Sequence, residues 1–385
     1  MASSHCRGLW LIGVLAACGT VESGTSDARE TADAPVPRDP ALRRVSFQEI
    51  EVIPQAASIQ GRGGGRSALL WGKSIWTFGT TVLNLNDASA SNWHFSSMSS
   101  TDDLVGSDGV VGFVERADSA GAPCTFLEPT ADEVTFNELH KAEGARYEAQ
   151  PSGAIFDGPR QRALVFYELL YTRPGTAQRI GQSIALWSSL DTVPQRPVMS
   201  PTDEHPTSLF RAGEPGFGAG AQIVGDDLYT FACELAGDIY KHPCKLAKVP
   251  LDQAVTRASW RFWNGTEFTA SIEDAATVFH GSRAVSLSWN AHLGQWIAIY
   301  AEPLSSWVVA RTAPELTGPW SDQVQLFQGP SREGWWVTDA VHHDEYTQND
   351  GQTLYVSYAR PNPDRGLFGS EVAWVRVDIA RAATP

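Results

Sequence analysis

Hydrophobic residues along this chain come in short alternating runs and not in helical periods. Five runs share one texture: 75–78 (IWTF), 164–167 (LVFY), 228–231 (LYTF), 296–300 (WIAIY) and 354–358 (LYVSY). Aromatic and branched residues over four or five positions read as strands. Turn residues precede most of them, as at 157–159, 225–227 and 349–351. A small or apolar run stands before each turn (67–70, 153–156, 285–289), and a third follows (183–187, 245–249, 307–311, 372–377). The five runs start 89, 64, 68 and 58 residues apart. Strand, turn, strand, loop, strand, recurring at about 60–70 residues, predicts an all-β, five-bladed β-propeller. A two-layer sandwich explains the strands but not their even spacing. The long first interval predicts an insertion in blade 1 at 102–148, with Cys124 and a mixed segment at 130–147. The run 45–53 is expected to complete the last blade and close the ring.

The first residues follow another pattern. One basic residue, Arg7, precedes an apolar run at 9–17, too short to span a bilayer but suited to a secretory signal. It ends in Leu15-Ala16-Ala17-Cys18, which resembles a bacterial lipobox with Cys18 lipidated; an ordinary signal with an incidental Cys18 is the alternative. Gly19 in place of Asp leans toward the outer membrane or cell surface of a Gram-negative bacterium. The expected organisation is a signal at 1–17, lipidated Cys18 with a tether to 45, and a propeller over 46–385. Residues 19–45 are rich in Ser, Thr, Ala, Pro and charge, and as a flexible coil they reach roughly 30 Å. The lipid is then the one membrane contact.

Composition narrows the partners. Lys and Arg total 29 against 44 Asp and Glu, a net charge of −15, which disfavours a nucleic-acid backbone. The 34 Gly and 23 Pro fit many turns; most of the 14 Trp are expected between blades. Cys233 and Cys244 flank a loop between two strand-like runs and are expected to form a disulfide, leaving Cys124 unpaired and buried. No Cys/His spacing suggests a metal site, and no cofactor motif is present. Gly61-Arg62-Gly63-Gly64-Gly65-Arg66 lacks the ending and the strand-to-helix setting of a phosphate loop and reads as a loop entering blade 1. A closed ring hides its edges, so a monomer is expected.

The segments 287–296 (LSWNAHLGQW), 311–321 (RTAPELTGPWS), 343–345 (HDE) and 351–358 (GQTLYVSY) resemble the closing blades of the domain of unknown function 4185 family. The runs 244–251 (CKLAKVPL) and 76–80 (WTFGT) also fit, so the resemblance extends over most of 58–380. It implies a five-bladed propeller similar to glycoside hydrolases, some acting on D-arabinan. Members commonly read Gly-Asp-Thr after the second strand of blade 1. This chain has Gly79-Thr80-Thr81, which places Thr80 at an acidic position.

In a propeller the pocket collects residues from the starts of innermost strands and the ends of second strands. The second-strand ends carry Thr80, Glu168, Glu234, Glu302 and Arg360; the innermost starts carry Arg66, Gln150, Gly220, Arg283 and Asp339 with His342. Asp339, Glu302, Glu168 and Glu234 are the candidate catalytic carboxyls, because glycoside hydrolysis needs an acid and a base or nucleophile. Arg66, Arg283 and Arg360 are candidates to hold a carboxylate or sugar hydroxyls, and His342 and Gln150 are candidates to bind the same substrate. Trp335 leads the candidates for stacking on a sugar ring, with Trp336, Trp307, Trp93 and Trp263. His342 and His343 alternate along one strand, so they face opposite sides, one of them toward the axis. Two functions remain open: a surface glycoside hydrolase, and a non-catalytic glycan-binding or scaffolding propeller.

Overall fold

The computed structural model describes residues 38–84, 93–119, 121–235, 239–330, 336–366 and 368–383. They form five antiparallel sheets in chain order. From the axis outward, the first blade runs Ile59–Leu70, Lys73–Leu83, Ser97–Thr101 and Val114–Glu115. The second runs Arg146–Asp157, Arg162–Arg173, Thr176–Trp187 and Phe210–Arg211. The third opens with Ala221–Val224, Asp227–Cys233 and His242–Pro250. The fourth is Val285–Asn290, Gln295–Ala301, Trp307–Ala313 and Val324–Gln328. The fifth is Thr338–His342, Thr353–Pro361 and Ser370–Arg381, closed from outside by the N-terminal strand Leu42–Val52.

Each of the five apolar runs is the second strand of a blade. Alternation gives each such strand two apolar faces, and only a blade on either side can bury both. Five clusters of buried side chains result, one at each interface between neighbouring blades. Trp76, Trp187, Trp260, Trp320 and Trp374 are fully buried in four of them. Trp263 and Trp307 pack against the cluster between blades 3 and 4. The last blade is closed by nine paired positions, Leu42 opposite Arg381 through Val52 opposite Ala373. The closing strand therefore starts three residues earlier than its hydrophobic pattern indicates.

The insertion before blade 2 contains the α-helix Ala131–Leu139, started by a capping box between Thr130 and Glu133. Cys233 and Cys244 stand opposite each other on adjacent strands and form the expected disulfide. Cys124 is unpaired but only partly buried, which differs from the expectation. The glycine run 61–65 is not a loop. It lies within the innermost strand of blade 1, where the register shifts between Arg62 and Gly64 and again between Gly64 and Arg66. Gly64 and Gly65 have φ of 80° and 110°, conformations that a side chain rarely adopts.

Candidate functional site at the propeller axis

The innermost strands of blades 1, 2 and 5 all carry β-bulges: at Gly64/Arg66, Pro151/Gly153 and Thr338/Val341. A bulge locally breaks the two-residue alternation and re-aims side chains. Here the bulges assemble charged residues around the axis. Arg66 crosses from blade 1, and its Nη1 donates to the carbonyls of Ala219 at 3.1 Å and Val285 at 3.5 Å. Its Nη2 donates to the Arg283 carbonyl at 3.5 Å. One guanidinium thus ties blade 1 to the strand entries of blades 3 and 4. Burial lowers its pKa; Asp339 and Glu168 oppose that shift, and Arg283 adds to it.

Asp339 lies inside the blade 5 bulge with φ 51°, a left-handed conformation uncommon outside glycine. Its Oδ2 accepts the Gly64 N–H at 3.1 Å, which couples two bulges. Such strain persists only where the surroundings fix it, and it concentrates at ligand sites. Both oxygens of Glu168 accept from Arg283 Nη2 at 2.8 Å. Glu168 raises the Arg283 pKa most, and burial opposes it. Glu234 Oε1 accepts from Arg179 Nη2 at 2.8 Å and from the Gly216 N–H at 2.5 Å. Burial lowers the Lys245 pKa against the Glu234 charge, and burial with Arg283 lowers His242. Gln150 stands opposite Glu168 in register and packs so closely on Gly79 that a Cβ there would lie 2.9 Å from its Nε2.

The structure therefore gathers Arg66, Gln150, Glu168, Glu234, Arg283 and Asp339 into one electrostatic cluster. Three other candidates go elsewhere. Glu302 sits in the hairpin after the second strand of blade 4, its N–H bonded to the Trp307 carbonyl at 2.9 Å. Its charge acts on Tyr300, whose pKa burial raises, and not on the axial arginines. Arg360 turns outward, bonding Glu371 at 2.6 Å and Glu49 at 2.9 Å, so it fastens the closing strand. His342 is buried between blades 4 and 5, its ring nitrogens 3.0 Å from Ser288 Oγ and 2.8 Å from Thr347 Oγ1. Trp335, like Cys18, lies outside the described residues.

The expected alternation of His342 and His343 holds, but neither ring faces the axis. His343 is buried between blades 5 and 1, stacked on Trp76 at 4.3 Å. Its Nδ1 lies 2.6 Å from Ser67 Oγ, and its Nε2 lies 2.7 Å from Ser357 Oγ. Ser67 also bonds Glu345, which accepts from Ser74 at 2.7 Å. Burial takes His343 well below its ordinary pKa and raises that of Glu345. The network joins the two blades that close the ring.

One titratable residue on the strand that carries Gln150 escapes the strand-end argument. Glu148 lies two positions along from Gln150, on the same face of the same strand. Burial raises its carboxyl to about 7, although Arg146 pairs with it at 2.8 Å. The polar alternation Arg146, Glu148, Gln150 is the sequence signal that marks it. Among the described residues no group of three or more His, Cys, Asp or Glu is placed to hold a metal ion.

Comparison with known proteins agrees with this architecture. A Bacteroides ovatus protein described as a candidate hydrolase superposes with a TM-score of 0.57 at 13% identity, covering 90% of this chain and 97% of that one. An exo-β-1,3-galactanase from Clostridium thermocellum gives 0.49 at 13% identity, over 85% of this chain and 62% of the other. The α-L-arabinofuranosidase of Podospora anserina gives 0.46 at 10% identity, over 88% and 98%. At 13% identity the first likeness is one of fold. No curated protein matches the sequence. The family match begins in the third strand of blade 2 and runs into the third strand of blade 5, so blade 1 and its Thr80 lie outside it. Residues 185–375 of this five-bladed propeller match the family described as Domain of unknown function (DUF4185).

Proposed function

We propose that the axial cluster binds a glycan of low charge. The observation that carries this reading is Asp339, held in a left-handed conformation against Gly64 and facing the charge of Arg66. Sugar hydroxyls both donate and accept. A site that alternates carboxylates (Asp339, Glu168, Glu234) with guanidinium groups (Arg66, Arg283) supplies both partners. Arg66, Arg283 and Arg179 balance those three acids, which suits a neutral ring better than a polyanion. Glu168 and Glu234 are each already held by an arginine, which favours binding over bond cleavage.

Hydrolysis is the second reading, and Glu148 favours it. A carboxyl titrating at about 7 is protonated often enough at neutral pH to act as a general acid. Asp339 then supplies the base or nucleophile. The test is full-length protein with arabinan, galactan and sialoside panels, scored for binding and for new reducing ends. Binding without cleavage, lost in Asp339→Asn, fits the first reading. Cleavage lost in both Glu148→Gln and Asp339→Asn establishes the second. Glycan affinity unchanged in Asp339→Asn and Arg283→Met removes the axial site. We further propose lipidation at Cys18 and an envelope location; fatty-acid labelling that survives Cys18→Ser argues against it.

A further inference from the structure

A second concavity lies on blade 2, between the helix Ala131–Leu139 and residues 202–212. Its volume is about 850 Å³, in the range of small-molecule sites. Its wall is aromatic: Phe136 from the helix, Tyr147 and Tyr171 from the two inner strands of blade 2, and His205 from the facing segment. Ring centroids are 4.3 Å apart for Phe136 and Tyr147, 5.8 Å for Tyr147 and Tyr171, and 5.3 Å for Tyr147 and His205.

The wall is rigidly built. Asn137 bonds both the N–H and the carbonyl of Tyr147, at 2.7 and 3.1 Å. Glu133 grips Arg196 at 2.5 and 2.7 Å, and Arg196 reaches Thr207 at 3.1 Å. These bonds fix the helix to both sides of the groove. The edge-forming groups, by contrast, are uncommitted: the Tyr147 and Tyr171 hydroxyls and the exposed Glu204 carboxylate have no hydrogen-bond partner among the described residues. The Glu204 charge reaches Tyr147, adding to the effect of burial in raising its pKa.

Flat apolar faces beside free acceptors and hydroxyls match a sugar, which has a C–H face and a hydroxyl edge. The lining carries Glu143, Asp203 and Glu204 against one arginine, Arg211, which itself pairs with Asp203 at 2.8 Å. An acidic groove on a chain of net charge −15 disfavours a polyanion. Strand alternation also places Tyr147 and Tyr171 on the opposite face from Glu148 and Glu168 of the same two strands. The groove is therefore separate from the axial cluster, yet shares its wall.

We propose that this groove is a second glycan site, which holds a neutral oligosaccharide segment by stacking on Tyr147 and Tyr171 with Glu204 and His205 on its hydroxyls. The ligand class rests on the glycan reading of the axis; the groove needs no catalysis there. The experiment is electrophoresis of full-length protein through gels containing neutral arabinan or galactan, with polygalacturonate as the charged counterpart. Neutral polymer is expected to retard the protein, and Tyr171→Ala is expected to weaken the apparent affinity about five- to tenfold. Glu204→Gln, at an exposed position, should weaken it with an unchanged thermal midpoint, and so decides the matter if Tyr171→Ala misfolds. No retardation by neutral polymers, equal retardation by polygalacturonate, or Glu204→Gln and Tyr171→Ala both behaving as wild type overturns the proposal. Asp339→Asn separates the two sites: if it leaves retardation intact while the groove variants abolish it, the axial reading fails and the groove stands.

Discussion

Asp339 offers a graded test, because its backbone and its carboxylate make separable contributions. At φ 51° a residue with an ordinary side chain pays about 1–2 kcal/mol, less for Asp or Asn and nothing for Gly. The bond from the Gly64 N–H to Oδ2, at 3.1 Å, is a bond to a charged acceptor and contributes about 1.5–3 kcal/mol. Asp339→Ala loses the bond and meets the full backbone strain, for a sum of about 3–4 kcal/mol. Asp339→Gly loses the bond but relieves the strain, leaving about 1–2 kcal/mol. Asp339→Asn keeps an acceptor in place and tolerates the backbone, so about 1 kcal/mol or less is expected. Urea unfolding at pH 7, followed by tryptophan fluorescence, should rank wild type above Asn, then Gly, then Ala. Ala as stable as Gly refutes the backbone term; Gly as stable as Asn refutes the carboxylate bond. All three variants should lose axial glycan affinity whatever their stability.

Four histidines, His94, His242, His342 and His343, have pKa values lowered chiefly by burial. Below about pH 6.5 these four histidines bind more protons in the unfolded chain than in the folded one; they outnumber Glu148 and Glu345, whose raised pKa values act in the opposite sense, so stability should fall as pH drops through that value. A thermal midpoint constant from pH 7 to 5.5 contradicts this. Removing the Cys233–Cys244 bridge, which closes a separation of 11 residues, should cost about 3 kcal/mol by the chain-entropy estimate, read as a midpoint loss in Cys233→Ser/Cys244→Ser. Trp76→Ala, at the interface of blades 5 and 1, should cost about 3–5 kcal/mol in urea unfolding; a cost below 1 kcal/mol argues against that interface.

The propeller was legible because its five second strands repeat a pattern that only stacked sheets can bury. The spacing also placed the insertion, and the N-terminal run pointed to its closing role. The axial cluster was legible in part. Arg66, Gln150, Glu168, Glu234, Arg283 and Asp339 sit near strand ends, which a blade alignment can find. Glu302 and Arg360 occupy equivalent strand ends, but the partners of Arg360 lie on the outer strands, and an alignment carries no information about them. The three bulges could not be counted from alternation, since each adds a residue to one strand without marking the sequence. Glu148 escapes that alignment because the innermost strand of blade 2 begins at Arg146, four residues before Gln150, where the blade pattern places its start. The histidine pair alternated as expected, yet both faces of that strand are covered by neighbouring blades.

The closing strand Leu42–Val52 pairs with Ser370–Arg381, so the first long strand among the described residues finds its partner in the last. During synthesis, four blades can collapse on their neighbours while the fifth has only its outer strand. The ring then locks in a single late event that needs nearly the whole polypeptide. A product cut short by even a dozen residues leaves an orphaned N-terminal edge and an open seam, both prone to pair with another such chain. Completeness of the chain is thus checked by the topology itself.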